Sequence, residues 1–121
     1  MSKRIMAVDD SKTMRDMVAF ALCGAGFTVS LAEDGQKALA ALAATKVDLI
    51  ITDINMPNMD GISLVRNLRA DPKHRATPIL ILTTESDNAK KAEGKAAGAT
   101  GWLVKPFSPE KLIELVNRVC P

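Results

Sequence analysis

Carboxylates, hydroxyls and one lysine stand directly after the short apolar runs of this sequence, where strands would end. Ile5–Val8 runs into Asp9-Asp10, Leu49–Ile51 into Thr52-Asp53, Ile79–Leu82 into Thr83-Thr84, and Trp102–Val104 into Lys105-Pro106. In open α/β sheets ligands bind outside the carboxyl ends of the strands, so these are the positions where chemistry belongs. With the first and third strands side by side, Asp9, Asp10 and Asp53 meet, and their repulsion raises their pKa values unless a cation compensates. An oxygen-only ligand set without histidine or thiolate favours Mg2+, Mn2+ or Ca2+ over zinc, and Mg2+ leaves coordination positions to water and phosphate oxygens. Phosphoryl transfer needs a nucleophile, positioning, and cations around the equatorial oxygens. Asp53 can attack, a metal ion and Lys105 can neutralise, and Thr83 can donate a hydrogen bond. The product of a carboxylate nucleophile is a labile aspartyl phosphate, which suits a reversible signal.

Positioning these groups requires alternating strands and helices. After the strand at Ile5–Val8, Met14, Met17, Val18, Ala21 and Leu22 recur at helical spacing until Gly24-Ala25-Gly26, with the methionines expected in the core. Phe27, Val29 and Leu31 alternate with Thr28 and Ser30, the mark of a half-exposed edge strand, and Asp34-Gly35 opens a helix through Leu39 and Leu42. The aliphatic runs Leu49–Ile51 and Ile79–Leu82 suit central parallel strands covered on both faces. Between them Pro57, Asp60 and Gly61 mark a loop, and Leu64, Val65 and Leu68 stripe a helix that ends before Asp71-Pro72. A fourth helix runs roughly from Asn88 to Ala97 and stops at Gly98. The last strand, Trp102–Val104, is followed by a helix with Ser108 as N-cap and Pro109 at its first position. Five strand-helix units imply an α/β protein, doubly wound, with helices on both faces of a parallel sheet and right-handed crossovers.

At 121 residues, 47% hydrophobic and 25% charged, the chain suffices for one cored domain, expected to span residues 1–121. A net charge of +2 and the absence of long like-charge blocks argue against nucleic acid or membrane as partner. The N-terminus lacks the features of a signal peptide and no run of about 18 apolar residues occurs, so the cytoplasm is the expected compartment. Cys23 and Cys120 are far apart without CxxC spacing and read as free thiols. His74, in the polar run Asp71–Arg75, reads as exposed and silent, and Lys90, Lys91 and Lys95 as a solvated helix face that could steer an acidic partner.

The pattern Val8-Asp9-Asp10-Ser11, Asp53-Ile54-Asn55-Met56-Pro57 with Asp60-Gly61, Thr83, and Lys105-Pro106-Phe107 resembles the receiver domains of two-component response regulators, those of chemotaxis in particular. The resemblance covers the whole chain in register, with 30 positions from Asp53 to Thr83 and 22 from Thr83 to Lys105. It implies a flavodoxin-like (βα)5 fold with a five-stranded sheet in the order 2-1-3-4-5 and no output domain. It further implies that Asp9, Asp10 and Asp53 hold Mg2+ with the backbone carbonyl of Asn55, and that Asp53 is phosphorylated. Lys105 then pairs with the phosphoryl group, the Lys105-Pro106 bond is cis, Thr83 moves toward the phosphoryl oxygens, and Trp102 moves inward behind it. Asn55 and Glu85 occupy flanking positions that tune phosphoryl lifetime in that family. The sequence departs from the pattern at Trp102, where Tyr or Phe is usual, and at Thr84, larger than the usual Ala or Gly.

The same resemblance implies a stand-alone monomeric regulator, not an enzyme beyond its own phosphotransfer and autodephosphorylation. Its partners would be a CheA-like sensor histidine kinase, a flagellar motor switch protein or other target bound by the α4-β5-α5 face, and a phosphatase. A phosphate sink or phosphorelay intermediate remains an alternative. A small Mg2+-dependent phosphohydrolase would lack room for a substrate-enclosing cap domain, and a flavin carrier would place its phosphate against the repelling Asp9-Asp10 pair.

Overall fold

The computed structural model describes residues 3–83 and 88–120. Five parallel strands, β1 (Arg4–Val8), β2 (Thr28–Ala32), β3 (Leu49–Asp53), β4 (Ile79–Thr83) and β5 (Gly101–Val104), lie in the order β2-β1-β3-β4-β5. They alternate with α1 (Lys12–Gly24), α2 (Gly35–Ala44), α3 (Gly61–Ala70), α4 (Asn88–Ala97) and α5 (Pro109–Val119). Every adjacent pair of strands is parallel, as crossover helices require.

Side-chain alternation along the strands splits the interior into two layers. Met6 and Val8 of β1, Ile50 of β3 and Ile79 and Ile81 of β4 face Ala38 and Leu42 of α2 and Ile62, Val65 and Leu68 of α3. Ile5 and Ala7, Leu49 and Ile51, and Leu80 and Leu82 face Val18, Ala21 and Leu22 of α1 and Leu112 and Val116 of α5. β3 and β4 are buried at every position, which is why they carry continuous aliphatic runs. β2 is an edge, and only Ala32 of its five residues is buried.

The helix starts follow their capping residues. Ser11, Asp34, Asp60 and Ser108 each accept a backbone N–H from the residue three positions on, and Pro109 opens α5. The Lys37 N–H holds the Asp34 carboxyl below its ordinary pKa, with a further bond from Asn58. Helix α4 approaches β4 so closely at Gly94 that a Cβ there would lie 2.8 Å from Ile81 Cδ1. No helix among the described residues is long and apolar enough to cross a membrane.

Three expectations are corrected. His74 is not exposed: it is 2% exposed in the turn between α3 and β4, and neither ring nitrogen has a hydrogen-bond partner among the described residues. Its polar neighbours misled, because they turn outward from the short loop or, like Lys73, cap a neighbouring helix. Met17 is half-buried and joins neither core cluster, whereas Met14 packs beneath α1. Lys91 is not simply solvated: its Nζ stands 5.8 Å from the centroid of the Trp102 ring. Cys23 is exposed and Cys120 buried, both free.

Candidate functional site: an acidic cluster at the strand ends

Adjacency of β1 and β3 brings the first two acidic positions to the third. Carboxylate oxygens of Asp9, Asp10 and Asp53 all lie within 4.8 Å of one another. Asp9 and Asp53 are buried and Asp10 is exposed, so the cluster opens to solvent on one side. Lys105, at the end of β5, reaches across it, with Nζ 3.2 Å from Asp9 Oδ2 and 3.4 Å from Asp53 Oδ2. The Lys105 N–H also donates to the Thr83 carbonyl at 2.6 Å, which ties the lysine to the end of β4. The Lys105-Pro106 peptide is cis, and Pro106 is exposed.

The two buried carboxylates, Asp9 and Asp53, also have structural duties. Asp9 Oδ1 accepts the Ser11 N–H at 2.9 Å at the entry to α1, and Arg15 Nη1 donates to the Asp9 carbonyl at 2.7 Å. Asp53 Oδ1 accepts the Ile54 N–H at 2.8 Å, leaving Oδ2 toward Lys105. Burial raises the Asp53 pKa, with Lys105 lowering it and Asp9 raising it in turn. Repulsion from Asp9 thus acts on Asp53 but ranks behind loss of water and behind the attraction of Lys105.

The loop after β3 is held by features the sequence does not announce. The Gly61 N–H donates to the Ile54 carbonyl at 2.8 Å, and α3 then starts against the Asp53 backbone. Asn58 adopts φ 69°, a left-handed conformation asparagine tolerates, and its Nδ2 donates to Asp34 Oδ2 at 3.0 Å. The β2-α2 and β3-α3 loops are therefore joined beside the cluster. Asn55 is exposed on this loop.

Thr83 is buried at the end of β4, one residue beyond Leu82, which is the register partner of Asp53. Trp102 pairs with Ile81 in β5 and is half-buried, flanked by a surface groove that Leu103, Lys111, Leu115 and Arg118 also line. Thr84 and Glu85 lie outside the described residues. The donor set fits a hard divalent cation: three carboxylates, one solvent-facing, with no histidine or cysteine joining them among the described residues.

Sequence and fold comparisons agree with one another. Residues 5–117 match the response regulator receiver domain. The chemotaxis protein CheY of Pseudomonas aeruginosa is 38% identical over 117 residues, which are 96% of this chain and 94% of that protein. The chemotaxis response regulator CheY4 of Vibrio cholerae is similar in structure at a TM-score of 0.95 and 49% identity, over 98% of this chain and 99% of that one. The receiver domain of the sensor histidine kinase PA1611 from Pseudomonas aeruginosa has a TM-score of 0.92 and 28% identity, covers 99% of this chain and 98% of that one, and carries a magnesium ion coordinated in its active site cleft. Receiver domains bind Mg2+ at an acidic pocket, and this chain has an acidic cluster at the ends of β1 and β3. A match along nearly the whole sequence, on the same five-stranded order, establishes that this chain belongs to the response regulator receiver family and is a receiver domain of the CheY type.

Proposed function

We propose that this chain is a stand-alone response regulator, phosphorylated on Asp53 by a CheA-like sensor histidine kinase, that controls a flagellar motor. The carrying observation is the buried Asp53 carboxylate at the end of β3, with the Lys105 ammonium 3.4 Å away and two further carboxylates within 4.8 Å. In the transfer, an Asp53 carboxylate oxygen forms a bond to phosphorus as the P–N bond of the donor phosphohistidine breaks, and the departing imidazole nitrogen keeps the electron pair. Asp9, Asp10, Asp53 and the Asn55 carbonyl would hold Mg2+, which when bound would supply charge neutralisation and orientation for the phosphoryl oxygens. Lys105 would exchange its carboxylate partners for a phosphoryl oxygen, and Thr83 would donate to another. Asn55 would set how readily water reaches the acceptor, a role the family resemblance also gives to Glu85, which lies outside the described residues. A phosphatase completes the cycle.

The output is a change in the face made by α4, β5 and α5. Movement of Thr83 toward the phosphoryl group frees space behind it, into which Trp102 turns. The target, a flagellar motor switch protein, reads that face; the regulator acts as a monomer in the cytoplasm. The test is the affinity of the purified chain for the motor switch protein, with and without beryllofluoride and Mg2+. Activation should tighten binding about tenfold or more, within the usual range of coupling between two sites. Equal affinity in both states would move the chain to the role of phosphate sink or phosphorelay intermediate.

A further inference from the structure

Residues 54–60 join β3 to α3, and Asn55, whose backbone carbonyl would join the Mg2+ shell, lies exposed on this loop. The base of the loop is closed by the Gly61 N–H to Ile54 carbonyl bond at 2.8 Å. Closure at the base alone would leave the carbonyls along the loop free to turn, and each residue that a ligand must then fix costs backbone entropy. The far side of the loop is held from another element. Asn58, three residues after Asn55, takes φ 69°, and its Nδ2 donates to Asp34 Oδ2 at 3.0 Å across 24 residues of sequence.

The two oxygens of Asp34 divide their tasks. Oδ1 accepts the Lys37 N–H at 2.8 Å as the N-cap of α2, and Oδ2 turns to the β3-α3 loop. Asp34 is 4% exposed, and the Lys37 N–H and then the Asn58 amide hold its carboxyl below the ordinary value, so it accepts both bonds as a carboxylate. Beside this bond Met59 rests on the first residue of α2: a Cβ on Gly35 would lie 2.9 Å from Met59 Cβ and Cγ and 3.0 Å from its Sδ. Pro57, with its own φ fixed by the ring, accepts the Met59 N–H at 2.7 Å. The loop is thus seated against the start of α2, an element that gives no carboxylate to the acidic cluster among the described residues.

We propose that Asp34 is a positioning residue for the metal site: through Asn58 it fixes the loop that carries Asn55, and so raises the affinity of the acidic cluster for Mg2+. Mg2+ demands near-ideal octahedral geometry, so a backbone carbonyl serves it well only where the loop already holds that carbonyl in place. Groups that orient a ligand without touching the ion count in its affinity for that reason. The coupling is reciprocal, and a bound ion holds the Asp34 to Asn58 bond closed to the same degree. The inference rests on the reading of the cluster as a Mg2+ site with the Asn55 carbonyl among its ligands.

Asp34→Ser, Asn58→Gly and the double variant test it. Serine at the N-cap still accepts the Lys37 N–H but has no second oxygen for Asn58, and glycine keeps the positive φ but has no amide. The readout is the rise in melting temperature of the full chain across a Mg2+ titration, each variant against its own baseline in EDTA, which reads metal affinity apart from any loss of stability. Each single substitution should weaken Mg2+ binding about fivefold, less than loss of a partner bonded directly to a ligand. The double variant should be no weaker than either single one, because the same bond is lost in all three. A double variant weakened by the product of the two single effects would overturn the tether, as would parent affinity in every variant. A loss confined to Asp34→Ser would overturn it in favour of a missing negative charge, and one confined to Asn58→Gly in favour of a slack loop. Should a variant fail to fold, the parent decides: its Asn58 side-chain amide protons should exchange with water about fivefold more slowly with Mg2+ bound, and an unchanged rate would overturn the tether. A parent whose melting temperature ignores Mg2+ would sink the metal reading itself, and the inference with it.

Discussion

Gly61→Ala should destabilise the domain by about 3 kcal/mol and lower its melting temperature by about 10 °C, although the substitution adds a single methyl group at a helix start. The reason is contact with backbone, which cannot yield as a flexible side chain would. A Cβ on Gly61 would overlap the carbonyl oxygen of Asp53 and lie 2.9 Å from the Asp53 carbonyl carbon and 3.0 Å from Ile54 Cα. The same helix start is tied to the residue that follows β3 by the Gly61 N–H to Ile54 carbonyl bond. Relief would require α3 to move away from β3, opening the contacts of Ile62, Leu64 and Val65, all buried. Asp53 would move with its backbone, so acetyl phosphate should phosphorylate the variant more slowly even where it remains folded. Urea denaturation with and without Mg2+ measures the first effect; a loss below about 1 kcal/mol would mean that the close approach of α3 is not needed.

Lys105→Ala should separate phosphorylation from switching, and should make metal-free stability depend more steeply on pH. Lys105 is the cation that Asp9 and Asp53 share, and its side chain is only 10% exposed. Its removal leaves two carboxylates facing each other, at a cost of about 2 kcal/mol near pH 7 without divalent ions, less than for a fully buried pair because Asp10 keeps one side wet. The sign with pH comes from Asp53. Burial already holds its carboxyl above the ordinary value, and Lys105 opposes that rise. A carboxyl whose pKa is higher in the folded state contributes stability below its unfolded pKa, about 4, and loses it as pH rises through the folded value. Without Lys105 the folded pKa climbs further, so the loss extends to higher pH. In EDTA the melting-temperature gap between parent and variant should widen from about pH 4 to pH 7. Mg2+ should narrow it and bind the variant on the order of tenfold more tightly, since a competing positive charge has gone. Phosphorylation should persist, and the change in target affinity on activation should shrink. A gap that is flat with pH, or a full response in the variant, would contradict the role given to Lys105.

How much of this was legible in the sequence depended on the range of the forces involved. β3 and β4 could be read because a strand covered on both faces must be apolar at every position, and Leu49–Ile51 and Ile79–Leu82 are. The α2 and α5 starts could be read because Asp34 and Ser108 act locally, on N–H groups three residues away. The acidic cluster was legible once strand ends were taken as the place for ligands, and the resemblance supplied the strand order that joins Asp9 to Asp53. The causes that stayed hidden are long-range. The run Asp71–Arg75 around His74 has no apolar stripe; its burial comes in a turn tied to the ends of α2 by Lys73 and of α3 by Arg69. Nothing in the sequence singles out Arg69, because the backbone carbonyls of His74, Thr77 and Gly98 that its guanidinium meets leave no trace in residue type. Gly61 could be read as a turn residue but not as the residue that lets α3 begin against Asp53. The Asn58 to Asp34 bond spans two loops, and only the asparagine's tolerance of positive φ hinted at it.

The central claim is that Asp53 accepts a phosphoryl group in a Mg2+-dependent reaction, and gel mobility on a phosphate-binding matrix after incubation with acetyl phosphate tests it most directly. The parent chain should shift with Mg2+ and not with EDTA, and Asp53→Asn should not shift under either condition. A shift that is indifferent to Mg2+ or survives in Asp53→Asn, or no shift of the parent at all, would contradict the assignment of this acidic cluster as a phosphoryl-accepting site.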